Sequence, residues 1–332
     1  MEGDSMRAAV LEAHGGVDQI HIRNWPRPRA AANHALVEVR ACALNYLDIF
    51  VRRGMPDQPV DLPRIGGGDI AGIVKSVGEG VSDAWLGARV VLFPRLPRGG
   101  ILGEHANGGL CEFISVDQSQ LIRIPDSVDF NRAAALPIAY GTAHRMLVTH
   151  GELKPSERVL ILGASGGVGT ASVQIAKTKG AEVFACTSSE EKARKLKALG
   201  ADHVVVPGSD PDFSKTVWEL SGKGGINVAV NFTGGDTWIP TIRTMARHGR
   251  IITCGSTAGH ECMIDVRYIW HRELRILGSR GYMPSDIKLI LDEVANGRLN
   301  PAIDRAMPLE NVREAMSLLE DRKLFGKVIL NP

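Results

Sequence analysis

The chain has 332 residues, of which 44% are hydrophobic and 23% charged, so it can bury a sizeable core and an intrinsically disordered chain is excluded. Lysine and arginine number 39 against 37 acidic residues, without a dense basic tract, so neither nucleic acid nor a membrane surface is expected as a partner. No apolar run approaches the roughly 18 to 20 residues that span a bilayer. Five cysteines without a C-x-x-C pair predict reduced thiols, and with no signal-peptide pattern we expect a cytoplasmic protein.

The stretch up to residue 125 is typical of a β-rich domain. Its strand-like segments, each bounded by turn residues, are RAAVLEA, ALVEVRACAL, DIAGIVKSVG, ARVVLF and LCEFISV. In the second segment Ala35, Val37 and Val39 alternate with other residues, which predicts a strand half buried against a core. Residues 1–5 are left out of this prediction because the first strand-like run begins at Met6.

Helical and strand patterns alternate from residue 126 to residue 282. A helical stretch comes first, and Pro137 should kink or break it. Ser188 precedes Glu191 at capping-box spacing, which predicts a helix that stops at Gly200. Strands are predicted at 159–162, 182–187, 203–206, 228–231, 250–254 and 275–278. Parallel strands joined by right-handed helical crossovers form a doubly wound sheet, so this part is an α/β domain.

The C-terminal part returns to mixed elements. From residue 283 a helix, an extended piece at 302–307, another helix and a strand at 327–330 are predicted. The closing strand can rejoin the β-rich domain. The predicted domains are therefore residues 1–125 with 283–332, and residues 126–282.

A glycine-rich turn follows the first strand of the α/β domain. In VLILGASGGVGTASVQIAK an apolar strand runs into the turn and then into a helix at 168–179. Glycines allow the backbone to approach a phosphate, and the helix N-terminus supplies free N–H groups and a partial positive charge. This order predicts a dinucleotide site. Its residues are Gly163, Ala164, Ser165, Gly166, Gly167, Val168 and Gly169.

The end of the second strand of this domain distinguishes NAD from NADP. A carboxylate at this point would bind the ribose hydroxyls of NAD, but the sequence from Ala185 to Ser189 contains none. Serine hydroxyls and one lysine can instead donate to the 2′-phosphate of NADP, with the lysine as its charge partner. We therefore predict NADP(H). The expected contacts are Thr187, Ser188, Ser189 and Lys192.

Three further segments follow strands of the same domain. Carboxyl ends of parallel strands share one edge of a sheet, and a dinucleotide lies along that edge. We expect additional cofactor contacts from the residues that follow the later strands. They are Phe232, Thr233, Cys254, Gly255, Ser256, Ser279 and Arg280.

These motifs resemble the medium-chain dehydrogenase/reductase superfamily, in particular its zinc-independent quinone oxidoreductase-like branch. The resemblance runs nearly end to end, through MRAAVLEAHGG, ACALNYLDIFVRRG, GGGDIAGIVKSVGEGV, ILGEHANGGLCEFISV, LPIAYGTAHRML, the glycine turn, LKALGADHVV, GRIITCGSTAG and FGKVIL. It implies a GroES-like catalytic domain that the C-terminal segment rejoins, a Rossmann domain, and a homodimer or homotetramer.

The same resemblance argues against a catalytic metal. At the positions of the zinc ligands in zinc-dependent relatives stand Asn45, Gly68 and the region of Ala139 and Tyr140, and the structural-zinc lobe is replaced by a short loop. Glycine has no ligand and asparagine is a poor one for zinc. His105 has no second His or Cys at a helpful spacing, so a structural role in its loop is expected.

Reduction of a quinone or an α,β-unsaturated carbonyl needs no metal, because hydrogen-bond donors can stabilise the charge that develops on oxygen. By motif position the expected catalytic residues are Asn45, Tyr46 and Thr142. Asp48 and Arg52 are expected to pair on one helix face. The predicted function is an NADPH-dependent, zinc-independent reductase of quinones, enones or enoyl thioesters. Two alternatives remain, a cofactor-binding scaffold without catalysis and an alcohol dehydrogenase with an atypical metal site.

Overall fold

The computed structural model describes residues 5–55, 59–208 and 212–332, and the chain forms two units. Unit 1 takes in the chain up to Ile138 together with Ile287–Asn296 and Ile303–Pro332, and unit 2 takes in Ala139–Asp286 and Gly297–Ala302. The first boundary thus falls after residue 138, whereas the sequence placed it at 125. The short stretch Gly297–Ala302 also stays with unit 2. Residues 1–4 lie outside the described residues.

Unit 1 is built on two sheets. The three-stranded sheet has the order β2 (Ile20–Pro26), β1 (Ser5–Leu11), β4 (Arg64–Ile65). The seven-stranded sheet has the order β15 (Ile303–Pro308), β16 (Lys327–Asn331), β3 (His34–Ala43), β5 (Asp69–Val77), β6 (Arg89–Leu92), β8 (Leu121–Arg123), and β7 (Phe113–Asp117) also pairs with β3. In β3 the residues Ala35, Val37 and Val39 are buried, as their alternation predicts.

The closing strand of the chain completes this sheet. β16 runs antiparallel to β3, with Ile329 opposite Ala43 and Leu330 opposite Cys42. β15 lies parallel to β16 on its other side. The predicted return of the C-terminal strand to the β-rich part is therefore confirmed. The helices of this unit are α1 (Tyr46–Arg53), α2 (Phe130–Ala134) and α10 (Val312–Glu320), while α9 (Pro284–Ala295) is divided between the two units.

Unit 2 contains a six-stranded parallel sheet with the strand order of a Rossmann fold. The order is β11 (His203–Val205), β10 (Glu182–Cys186), β9 (Arg158–Ile161), β12 (Ile226–Val230), β13 (Met245–Thr253), β14 (Arg275–Gly278). Its helices are α3 (Gly141–His144), α4 (Gly167–Thr178), α5 (Glu190–Ala198), α6 (Ser214–Leu220), α7 (Trp238–Thr244) and α8 (Val266–Arg272). The strands β9, β10 and β12 were predictable because each is a short, mostly buried apolar run.

The α-helical pattern is interrupted near Pro137, as predicted: α2 ends at Ala134, and π-helical turns follow at Leu136–Tyr140 and Arg145–His150. The wider turn occurs where proline has no N–H to donate. The cap of α5 is Ser189, whose hydroxyl accepts from the Lys192 N–H at 3.3 Å, and not Ser188.

All five cysteines are free, and Cys42, Cys111 and Cys186 are buried. Among the described residues, no helix has both the length and the apolar composition required to cross a membrane.

Candidate functional site

The glycine turn joins β9 to α4. Gly163 has a φ of +59°, a conformation that favours glycine, and Gly166 precedes the helix without a side-chain cap. A Cβ on Gly169 would lie 2.3 Å from the carbonyl oxygen of Gly163, so only glycine fits there. Without a side chain at Gly166, the first N–H groups of α4 stay available to an anion. The turn therefore has the properties of a phosphate-binding loop.

The end of β10 lies against this turn. The Ala164 N–H donates to the Cys186 carbonyl at 3.0 Å, which brings the residues after Cys186 beside the glycines. Thr187 is buried, and its hydroxyl has no hydrogen-bond partner in the described structure. Ser188 is exposed, and Lys192 is half buried one turn into α5. A buried hydroxyl without a partner marks a place where a ligand group can complete the hydrogen bonding.

The loop after β12 borders the turn on its other side. A Cβ on Gly163 would meet the Phe232 ring at 3.3 Å and the Thr233 hydroxyl at 3.4 Å. The fully buried Asn231 amide holds this loop, since it donates to the hydroxyls of Thr237 and Thr241 and accepts from the N–H groups of Thr233 and Gly234. Sequence reasoning did not single out Asn231 as an organising residue. Its signal was a polar amide directly after a buried strand.

The ends of β13 and β14 complete the same edge of the sheet. Ser279 donates its N–H to the Thr253 carbonyl at 2.8 Å, and its buried hydroxyl has no partner in the described structure. Cys254 follows β13, and burial raises the pKa of its thiol to about 12. Gly255, Ser256 and Arg280 are exposed. The two partnerless hydroxyls, on Thr187 and Ser279, and the Cβ-free turn together fit a dinucleotide along this edge.

A buried polar cluster lies in unit 1 where β3 leads into α1. The ammonium group of Lys327 donates to the Leu44 carbonyl at 2.8 Å, the Asn45 side-chain oxygen at 2.6 Å and the Asp69 carboxylate at 3.2 Å. The Asn45 side-chain nitrogen donates to the same Asp69 oxygen at 2.9 Å. Both ends of the Asn45 amide are therefore engaged within the protein. The sequence did not indicate Lys327 as part of this site.

Asp48 belongs to the same cluster of Asn45, Asp69 and Lys327, which is called the corner of unit 1 below. One of its carboxylate oxygens accepts from the Asn45 N–H at 2.8 Å, and the other accepts from the Gly67 N–H at 2.9 Å. The ion pair predicted between Asp48 and Arg52 is wrong, because Arg52 donates to Glu320 at 2.6 Å and to the Gly15 carbonyl. Tertiary partners outcompete the neighbour at i+4, whose interaction is worth only a few tenths of a kcal/mol.

Burial is the largest influence on the pKa values of Asp48 and Asp69. It raises the pKa of Asp48 to about 6, although the N–H groups of Asn45 and Gly67 oppose the shift. Burial also raises the pKa of Asp69, against the attraction of the Lys327 ammonium group. Each carboxyl thus pays a desolvation penalty when it is ionised.

The raised pKa of Asp48 predicts a pH dependence of stability. Between pH 4 and 6 the folded carboxyl holds a proton that the unfolded one releases, so stability falls as pH rises through this window. The free energy of unfolding of the wild type, minus that of Asp48→Asn, should decrease by about 2 kcal/mol from pH 4 to 7 in urea titrations. An Asp117→Asn control should give the opposite sign at acid pH, because Ser119 lowers the pKa of Asp117. A difference that is flat or rises with pH for Asp48 would contradict the assignment.

The other two predicted catalytic residues occupy different environments. Tyr46, the first residue of α1, is half buried, and its ring packs edge-on against Phe50 at 5.2 Å between centroids. In the described structure the Tyr46 hydroxyl makes no hydrogen bond to another residue. Thr142 is buried in α3 of unit 2. Tyr46 follows Asn45 directly in the chain, and its hydroxyl has no partner in the described structure.

The positions that carry zinc ligands in relatives do not fit a metal here. Asn45 is bound to Lys327 and Asp69, and a Cβ on Gly68 would lie 3.1 Å from the Leu102 carbonyl. No three His, Cys, Asp or Glu side chains converge on a possible metal position in residues 5–55, 59–208 and 212–332. The Nδ1 atom of His105 faces the Ile101 N–H at 3.3 Å inside its own loop.

Tyr140, near the third ligand position, supports the chain internally. Its buried hydroxyl accepts from the side-chain nitrogen of Gln174 at 2.9 Å and from the Ala302 N–H at 3.0 Å. Gln174 in turn accepts from the Asn300 N–H at 2.9 Å. The hydroxyl thus fastens the stretch Gly297–Ala302 to the helical segment of unit 2.

We expect Tyr140→Phe to lower the free energy of unfolding by about 2 kcal/mol, because it leaves the buried Gln174 amide and the half-buried Ala302 N–H without this acceptor. Thermal and urea unfolding measure this loss. Tyr46→Phe is the matched control and should change stability by less than about 0.5 kcal/mol, since its hydroxyl is not engaged in the described structure. Equal effects of the two substitutions would count against a supporting role of the Tyr140 hydroxyl.

A Rossmann sheet with a phosphate-binding turn, joined to a β-rich unit, defines the class of nicotinamide-dependent oxidoreductases. Residues 31–126 match the family model "Alcohol dehydrogenase GroES-like domain", and residues 167–296 match "Zinc-binding dehydrogenase". The chain belongs to the medium-chain dehydrogenase/reductase superfamily, which confirms the resemblance and the GroES-like and Rossmann fold.

Curated relatives cover nearly the whole chain. The synaptic vesicle membrane protein VAT-1 homolog of Rattus norvegicus is 30% identical over 98% of the chain and 84% of its own length. Quinone oxidoreductase-like protein 2 of Mus musculus is 29% identical over 92% and 87%. Acryloyl-coenzyme A reductase of Sulfurisphaera tokodaii is 26% identical over 98% and 100%. A crystal structure of an NAD-dependent alcohol dehydrogenase superposes with a TM-score of 0.92 at 36% identity, covering 98% and 100%.

Proposed function

We propose that this protein transfers a hydride from NADPH to a quinone or an α,β-unsaturated carbonyl, without a catalytic metal. The observation that carries the proposal is the corner of unit 1, where a lysine, an asparagine and two aspartates stand in place of a metal-ligand set. Relatives named as a quinone oxidoreductase-like protein and an acryloyl-coenzyme A reductase support this acceptor class.

The residues proposed to bind the cofactor favour NADP(H). The end of β10 carries hydroxyls and Lys192 in place of a carboxylate, which favours a 2′-phosphate over a free ribose hydroxyl. The buried hydroxyls of Thr187 and Ser279 supply hydrogen bonds that the described structure leaves unused. We therefore assign the glycine turn, Thr187, Ser188, Ser189, Lys192 and the residues after β12, β13 and β14 to cofactor binding.

In the proposed reaction, the chain binds the acceptor and supplies a hydrogen-bond donor to its oxygen. NADPH supplies the hydride, which adds to the electrophilic conjugated position of the acceptor. Negative charge then develops on the acceptor oxygen, and a positioned hydroxyl stabilises it by donating a hydrogen bond or a proton. We assign this donor role to Tyr46, because its hydroxyl is not engaged in the described structure. Thr142 stays a proposed site residue, whereas Asn45 acts by positioning.

Turnover tests the proposal directly. Purified protein with NADPH and a panel of quinones, enones and enoyl thioesters should oxidise NADPH at 340 nm with at least one acceptor class. Tight NADPH binding with no turnover, unchanged by Asn45→Ala/Tyr46→Phe, would identify a binding protein instead. Alcohol oxidation that depends on stoichiometric zinc found by elemental analysis would identify the metal-dependent alternative.

We also propose a homodimer formed at the free edge of β14. Every residue of this strand is at least partly exposed, and α8 next to it in the chain has no buried residue. Met263, Val266 and Trp270 are 81%, 63% and 67% exposed, a concentration of apolar side chains typical of an interaction face. Because the Ser279 N–H points to β13, alternation turns the N–H groups of Ile276 and Gly278 outward. A second copy can pair antiparallel with this edge.

Ile276→Lys should weaken this dimer at least about tenfold, because it places two like charges across the paired edge. Sedimentation equilibrium of the wild type should give twice the chain mass. Leu220→Lys, at another exposed apolar residue of unit 2, is the matched control and should leave the dimer intact. A monomeric wild type, or equal association of both variants, would refute the proposed edge. We also propose a cytoplasmic location, because free cysteines are typical of a reducing compartment.

A further inference from the structure

The strongest unexplained feature of unit 1 is a fully buried ion pair. The side chains of Lys327 and Asp69 are 2% and 0% exposed, and their charged atoms lie 3.2 Å apart. Moving two charges out of water is costly, and apolar residues of similar volume often stabilise a fold equally well or better. Stability alone therefore does not explain why the chain places this pair in its core.

The contacts of the pair converge on one residue. Lys327 holds the side-chain oxygen of Asn45, and Asp69 holds its side-chain nitrogen, so the orientation of the amide is fixed from both ends. The second Asp69 oxygen accepts from the Ile138 N–H at 2.9 Å, which anchors the carboxylate itself. All three protons of the Lys327 ammonium group have acceptors, because Leu44 supplies the third.

Asn45 determines where α1 begins. It is the N-cap of the helix, with extended backbone angles, and Tyr46 is the first helical residue. Asp48 fixes the same point by accepting from the Asn45 N–H. Because Asn45 and Tyr46 are adjacent, a displacement of Asn45 also moves the backbone that carries the Tyr46 ring.

We propose that Lys327 and Asp69 are positioning residues, which fix Asn45 and through it hold the Tyr46 hydroxyl in the geometry for donating to the acceptor oxygen. The assignment rests on the proposed reductase function. Neither residue touches the acceptor, since every proton of the Lys327 ammonium group and both Asp69 oxygens are used inside unit 1. A displacement of only about 1 Å at a catalytic group is enough to lower turnover 100-fold.

Variants of Lys327 and Asp69 distinguish an effect on the position of Asn45 from an effect on the stability of the fold. Lys327→Met leaves a buried carboxylate without its partner, and should lower Tm by roughly 5–10 °C and turnover at least tenfold. Lys327→Arg keeps the charge and should recover part of the turnover. Lys327→Met/Asp69→Asn removes both charges while an amide oxygen can still accept from the Ile138 N–H. We expect this double variant to regain most of the lost Tm but to keep turnover at least tenfold below wild type.

Affinity for NADPH is the internal control. The proposed nucleotide residues belong to unit 2, so the dissociation constant from fluorescence titration should stay within about twofold of wild type in every variant. Turnover of the double variant within twofold of wild type would overturn the proposal. So would a proportional loss of NADPH affinity, because that result indicates a general structural role.

Crystal structures of the wild type and the double variant provide a readout that needs no turnover. The proposal requires the Asn45 amide and the Tyr46 ring to be displaced in the variant, and an unchanged Tyr46 contradicts it. If the wild type reduces no acceptor, the reductase function fails, while this comparison still decides whether the pair positions the corner.

Discussion

Gly169→Ala should bind NADPH at least about 100-fold more weakly than the wild type, a loss of roughly 3 kcal/mol. The new methyl carbon would lie 2.3 Å from the Gly163 carbonyl oxygen and 2.6 Å from the Ala164 backbone, so the turn must open. An open turn separates the N-terminus of α4 from the end of β9, and the N–H groups no longer converge on one phosphate. Fluorescence titration with NADPH measures the loss, and circular dichroism reports whether the sheet persists.

Two other glycines serve as controls for this result. A Cβ on Gly208 has no atom within 4 Å, so Gly208→Ala should bind NADPH like the wild type. A Cβ on Gly166 has its nearest neighbour at 3.6 Å, an ordinary contact, so Gly166→Ala should keep the turn. Any weaker binding by Gly166→Ala then arises at the ligand rather than in the fold. NADPH affinity of Gly169→Ala within threefold of wild type would show that the pyrophosphate binds elsewhere.

The Rossmann sheet was predictable because its signals are local. The strands β9, β10 and β12 are short, mostly apolar runs, and the glycine turn connects β9 to a helix within a few residues. Helix caps and the exact course of the Pro137 helix were less predictable. Neighbouring serines such as Ser188 and Ser189 compete for one cap, and Pro137 predicts an interruption of the helix but not the π-helical turn that follows α2.

The corner of unit 1 was predictable only in part. Motif position indicated Asn45 and Tyr46, but nothing near Lys327 in the sequence shows that its ammonium group lies in the core, since lysine is almost always exposed. Its contact with Asn45 joins positions 282 residues apart. Asp48 was assigned a helix-face partner by spacing, whereas its actual partners are backbone N–H groups that only the folded chain brings together.

Ser188→Asp should reverse the preference between the two nicotinamide cofactors. A carboxylate after β10 would repel the 2′-phosphate of NADPH and accept hydrogen bonds from the ribose hydroxyls of NADH. A charge-assisted contact is worth about 1.5 to 3 kcal/mol, and the variant loses one with NADPH and gains one with NADH. The two effects add, so the ratio of kcat/KM for NADPH over NADH should fall at least about 100-fold. Initial rates with each cofactor, at a fixed saturating acceptor, measure this ratio.

Two further variants test whether charge near the 2′-phosphate determines the cofactor preference. Ser188→Asn has nearly the volume of the aspartate without its charge, and should change the ratio by less than about fivefold. Lys192→Gln removes the proposed charge partner of the 2′-phosphate, and should weaken NADPH about tenfold with little effect on NADH. If the aspartate and asparagine variants weaken both cofactors equally, the 2′-phosphate does not lie at Ser188. A wild type that prefers NADH would mean that the missing carboxylate after β10 does not select NADP.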